Sequence, residues 1–114
     1  MTYSSSLPLS RLEPQFLKLQ GTKLWTYTED IKEADGICFL CPVCFMTNDG
    51  PIGTHSVICW QPKVPPDLGP KPGRWLFNGT GYDDLMLVAG SSSIKLNGGC
   101  NAHFFIRDGQ VDIC

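Results

Sequence analysis

The chain has 114 residues, 42% of them apolar and 18% charged, with a formal net charge of −2. That length holds one domain, and that apolar content excludes a disordered chain. Because neither sign of charge dominates, a general nucleic-acid or membrane-surface binder is excluded as well.

Twelve glycines and nine prolines predict many turns and little helix, so the expected fold is mainly β. The first residues, Met1-Thr2-Tyr3-Ser4-Ser5-Ser6, lack the basic and apolar regions of a secretory signal. No apolar run reaches the roughly eighteen residues of a membrane span. A cytoplasmic protein is therefore expected, in a compartment where cysteines stay reduced. Its six cysteines then read as metal ligands and buried thiols before they read as disulfides.

Taken in order, residues 1–22 read as an N-terminal arm or short helix, and residues 23–114 as a β-rich, metal-binding domain. Ser10 and Glu13 have the spacing of a capping box, but Pro14 would shorten or displace any helix over Ser10–Leu19. The alternative is an extended arm whose Leu12, Phe16, Leu17 and Leu19 lie against the core. Leu24–Thr28 has the aromatic and β-branched composition of a strand. Ile37–Leu40 is a second strand, running into a tight turn at Cys41–Cys44, and Ser56–Trp60 is a third, buried one. Gln61–Gly73 carries five of the nine prolines and is expected to be a long irregular loop. Arg74–Phe77, Leu85–Val88 and Ile94–Leu96 follow as short strands. Phe104–Ile106 and Val111–Ile113 form a hairpin around Asp108-Gly109, a strong turn signal.

Two ligand pairs stand out. Cys41-Pro42-Val43-Cys44 and Cys100-Asn101-Ala102-His103 each place soft ligands on either side of a turn, and together they supply the four ligands of a closed tetrahedral site. Gly98 and Gly99 relieve crowding before the second pair. The expectation is a zinc-ribbon-like arrangement of hairpins clipped by one structural zinc at Cys41, Cys44, Cys100 and His103; iron is the other metal this set accepts. Cys59 reads as a small buried apolar residue. Cys38 points away from the turn if residues 37–40 are a strand. His55 reads as a surface imidazole, with a second metal at Cys38, His55 and Cys59 as the alternative.

A hydrolytic set is also present in outline. Ser91, Ser92 and Ser93 follow Gly90, Asp83 and Asp84 begin the preceding strand, and His55 is the histidine outside the metal set. Ser93, His55 and Asp84 would be nucleophile, base and orienting carboxylate. The plain reading of the same residues is a polar turn and a solvated strand edge, and the chain has no Gly-x-Ser-x-Gly elbow.

The residues Glu33-Ala34-Asp35-Gly36-Ile37, Phe39–Cys44, Gly53-Thr54-His55-Ser56, Gly73-Arg74-Trp75, Asp83-Asp84-Leu85, Ser93-Ile94 and Cys100–Phe104 form an ordered set over most of the chain. In these the chain resembles the small phage and bacterial proteins grouped as domain of unknown function 6527. The resemblance implies a phage or prophage origin and a metal held by the Cys and His pairs. Some relatives in bacterial ubiquitination-like operons are regarded as peptidases acting on a ubiquitin-like protein. Those relatives carry a denser cysteine cluster at the first ligand turn, and a proline before the serine where this chain has Gly90-Ser91-Ser92-Ser93. The expected function is a binding or interaction module for a protein partner, with Gln61–Gly73 as a contact surface. The alternative is a small peptidase.

Overall fold

The structure is a computed structural model that describes residues 5–21, 24–64, 74–88, 94–95 and 102–113. Ten strands and one α-helix form among them, so the mainly β expectation holds. The strands are β1 (Ser5–Pro8), β2 (Gln15–Gln20), β3 (Leu24–Thr28), β4 (Gly36–Leu40), β5 (Ser56–Trp60), β6 (Leu76–Asn78), β7 (Met86–Val88), β8 (Ile94–Lys95), β9 (His103–Arg107) and β10 (Gln110–Ile113), and helix α1 is Pro42–Asn48. One sheet runs β1-β10-β9-β8, a second β3-β2-β4-β5, and β6 and β7 make a two-stranded ribbon. Every pairing is antiparallel.

Period-two alternation assigns the faces. On β9, Phe104 and Ile106 are buried between half-buried His103, Phe105 and Arg107; on β10, Val111 and Ile113 are buried. The second sheet contributes Phe16, Ile37, Phe39, Val57 and Cys59 to the same core, and Leu85 and Leu87 close it from the ribbon side. Phe39 meets Phe104 edge-on at 6.0 Å, joining the two large sheets. The other face of the second sheet carries a smaller cluster of Leu17, Trp60 and Val64. There Trp60 lies so close over Gly36 that a Cβ on residue 36 would collide with its indole. The radius of gyration, 13.3 Å, matches the value of about 13 Å expected for one compact domain of this length.

Within the stretch 1–22, the described residues 5–21 are built into the two large sheets. β1 pairs with β10 in the first sheet, and β2 lies between β3 and β4 in the second. The helix over Ser10–Leu19 does not form. A 3₁₀ turn at Leu9–Leu12 ends at Glu13, whose φ of 51° is left-handed, and Pro14 leads into β2. Burial decides the outcome, because Leu9, Leu12, Phe16 and Leu17 are all fully buried. The extended alternative therefore holds for Leu12, Phe16 and Leu17. The Asp108-Gly109 hairpin forms with φ of 50° and 72° at its two central residues, the conformation of a two-residue turn.

Candidate metal centre

The site grows out of the β4–β5 ladder. Leu40 and Ser56 are Cα partners at the end of this antiparallel pair. One rung further stand Cys41 and His55, joined by a 2.8 Å hydrogen bond from the Cys41 amide to the His55 carbonyl. Directly opposed residues of an antiparallel pair project to the same face. The ladder thus sets the Cys41 thiol beside the His55 imidazole.

Helix α1 brings in the second thiol. Cys41 is its N-cap residue and Pro42 its first helical residue, a place proline favours because its missing N–H would have had no helical partner. The Phe45 amide donates to the Cys41 carbonyl at 2.9 Å, closing the first turn. Residues three apart on a helical turn are neighbours, so Cys44 comes back toward Cys41. The expected tight turn of the Cys-x-x-Cys pair is therefore a strand end wound into a helix.

The return segment is held by its own bonds. Asp49 ends α1 with a φ of 54°, and the Gly50 amide donates to the Phe45 carbonyl at 3.0 Å. The Thr54 hydroxyl donates to the Gly50 carbonyl at 2.8 Å, and the Thr54 amide donates to the Pro51 carbonyl at 3.0 Å. His55 is delivered opposite Cys41 by this loop.

As a result the ligand atoms of Cys41, Cys44 and His55 all lie within 4.8 Å of one another. Tetrahedral zinc with Zn–S near 2.3 Å and Zn–N near 2.0 Å needs ligand atoms about 3.5–3.8 Å apart, a small side-chain adjustment away. The His55 Nδ1 lies 3.3 Å from the Ser56 carbonyl. A carbonyl only accepts, so in this contact Nδ1 would be the donor and Nε2 the atom left for a metal. A histidine ligand is commonly oriented in this way, by a backbone carbonyl on its second nitrogen. Cys41 is buried, Cys44 half-buried and His55 exposed, so a bound ion would lie at the rim of the core with the imidazole on its solvent side. Two thiols and an imidazole are a soft, borderline donor set that could hold a metal ion.

The other predicted site residues fall as follows. Cys100 and Ser93 lie outside the described residues. His103 opens β9, half-buried, paired with Lys95, its ring 6.1 Å from that of Phe105; it is not in the group of three. Cys38 and Cys59 project to opposite faces of the second sheet, Cys59 into the main core and Cys38 toward the smaller cluster. A second site of Cys38, His55 and Cys59 is thereby ruled out, and His55 belongs with Cys41 and Cys44. Burial pushes the Cys59 thiol far above its usual range, with Cys38 adding to the shift. Burial also raises Cys38, against the pull of a hydrogen bond with the Ser56 side chain.

Asp84 serves its own turn. Its carboxylate accepts from the Thr80 amide at 2.8 Å, the Gly81 amide at 2.9 Å and the Thr80 hydroxyl at 2.8 Å. The two amides, Thr80 first, and then the hydroxyl hold its pKa below the ordinary carboxylate value. No helix among the described residues is long and apolar enough to cross a membrane. The chain has no significant match among protein-family profiles, curated proteins or solved structures.

Sequence reasoning missed His55 as a partner of the first cysteine pair. The usable signal was the strand on each side of that pair. If Ile37–Leu40 and Ser56–Trp60 are joined as an antiparallel pair, the residue just after the first stands opposite the residue just before the second.

Proposed function

We propose that this chain is a small binding module for a protein partner whose fold is clipped by one structural zinc ion. Cys41, Cys44 and His55 hold the ion, and Cys100 is the candidate for the fourth position on sequence grounds. A closed thiolate-rich set contributes folding energy rather than chemistry. The observation that carries this reading is the convergence of Cys41, Cys44 and His55 within 4.8 Å. It also commits the imidazole that a serine hydrolase would use as its base, while the Asp84 carboxylate is committed to Thr80 and Gly81. Resemblance to the domain of unknown function 6527 proteins supports a phage or prophage accessory role in the host cytoplasm, where thiols stay reduced and available to metal.

Native mass spectrometry of the purified chain, repeated after denaturation, tests the proposal. One zinc per folded chain is expected, lost on unfolding and absent from Cys44→Ser and His55→Ala. Retention of the ion by Cys100→Ser would leave the fourth position to another donor. A chain that binds no metal with all thiols reduced overturns the clip. Cleavage of a ubiquitin-like protein that Ser93→Ala abolishes without unfolding would overturn the binding role in favour of a peptidase.

A further inference from the structure

The backbone sets Cys41 and Cys44 at bridging distance. Pro42 and Val43 both lie in α1, and the dihedrals of those two residues fix the Cα separation of the cysteines that flank them. Residues three apart on a helix of about 1.5 Å rise and 2.3 Å radius stand about 5 Å apart. That falls inside the range of about 4.4–6.8 Å that a disulfide spans. The two Sγ atoms already lie within 4.8 Å of each other. Helix α1 is seven residues long and Cys44 is half-buried in it, so its first turn can supply the remaining adjustment. The other cysteines of this sheet are excluded as partners of Cys41. Cys38 precedes it by three residues along an extended strand, about 10 Å at 3.3 Å per residue, and Cα atoms more than about 7 Å apart cannot be bridged without backbone movement. Cys59 is buried in the main core opposite Ile37, one residue further still from Cys41.

We infer, resting on the zinc clip proposed above, that Cys41 and Cys44 are also an oxidative modification site, which hydrogen peroxide closes to a disulfide with release of the ion. Cys44 is half-buried where Cys41 is buried, so peroxide reaches Cys44 first. The Cys44 thiolate attacks one peroxide oxygen and the O–O bond breaks, leaving a sulfenic acid and one hydroxide. The Cys41 thiolate then attacks the Cys44 sulfur, forming the S–S bond and expelling a second hydroxide. Two electrons pass from the two thiolates to the peroxide, and two protons convert the hydroxides to water. A disulfide offers the metal no thiolate. Of the three ligands only His55 then remains, and the ion leaves. The first turn of α1 stays joined, while the imidazole of His55 is released from it. Small-molecule thiols of a reducing compartment reverse the step by reducing the disulfide.

Hydrogen peroxide added in equimolar amount to the zinc-loaded full chain, without reductant, tests this. A zinc indicator should read one ion released per disulfide formed. Peptide mapping should find Cys41 joined to Cys44, with Cys38 and Cys59 still thiols. Reduction in the presence of zinc should restore the loaded chain, and Cys38→Ser should release zinc at the parent's rate. Zinc retained through the addition overturns the modification site while the clip stands. So does zinc loss with a disulfide that joins Cys41 or Cys44 to any other cysteine, Cys100 included, or with Cys44 carried on to sulfinic acid. A chain that takes up no zinc before peroxide is added overturns the clip itself, and the modification site with it.

Discussion

Removing the metal should destabilise the fold, and that effect should vanish when His55 is replaced. With free zinc at 100 times its dissociation constant, mass action stabilises the folded chain by about 2.7 kcal/mol. One kcal/mol shifts the melting midpoint of a domain near this size by about 4 °C. Chelation should therefore lower the midpoint by about 10 °C. His55→Ala supplies the control. The His55 side chain is exposed, and its backbone carbonyl, which accepts from the Cys41 amide at 2.8 Å, survives the substitution. Without metal the variant should melt within about 2 °C of the parent, since exposed substitutions usually cost under about 0.5 kcal/mol. With metal it should show none of the parent's zinc-dependent gain. Differential scanning fluorimetry with and without chelator, on both proteins, gives the four midpoints. If His55→Ala lowers the midpoint equally in zinc and in chelator, the imidazole is not a ligand and the argument fails.

Site-resolved alkylation near pH 8 should label Cys44 once metal is chelated and spare it when zinc is bound, while Cys59, held as a thiol by burial, stays unlabelled in both; rapid native-state labelling of Cys59 would contradict the packing. Asp84→Ala should destabilise the β6–β7 turn most at neutral pH. The lowered pKa of this carboxylate means that its contribution is present above the unfolded value near 3.8 and is lost as pH falls through the lower folded value. Urea titrations at pH 7 and pH 3 should therefore show the gap between parent and variant narrowing, and a gap that does not change with pH would refute the role. Tyr82→Phe should cost about 1 kcal/mol by the same titration. It removes the hydroxyl that accepts from the Phe16 amide at 3.0 Å while keeping the ring stacked on Phe16 at 4.4 Å, and an unchanged midpoint would mean that water replaces the bond.

The strands legible in the sequence were those whose partners are close along the chain or whose composition is strongly β. The β9–β10 hairpin is fixed locally by Asp108-Gly109, and β5 by a run of apolar residues. Residues 5–20 were not legible because their structure is set at long range: Ser5–Pro8 is a strand only because Gln110–Ile113 offers an edge. The capping-box spacing of Ser10 and Glu13 is a local signal that tertiary burial of Leu9, Leu12 and Phe16 overrides. His55 was hidden for a related reason. In sequence it sits in a glycine-bordered loop, and its chemistry appears only when the β4–β5 register sets it against Cys41.

The position of the candidate site explains why a clip would matter here. Helix α1 has seven residues, too few to be stable alone in water, and its Val43, Cys44 and Phe45 pack against the main core only in part. Its C-terminal return is closed by polar contacts such as Asn48 to Thr54 at 3.3 Å, which is exposed to water. The strands on either side are anchored differently, by buried Phe39 on β4 and by buried Val57, Cys59 and Trp60 on β5. The segment from Cys41 to His55 is thus a weak excursion from a firmly paired ladder. A metal held by its first residue, its last residue and one turn of its helix would fix all three at the rim of the core. Local opening of α1 should then depend on metal far more than opening of β4 does. Amide exchange at Phe45 should slow markedly with zinc while exchange at Phe39 changes little, and equal protection of both would mean that the clip stabilises the whole domain rather than this excursion.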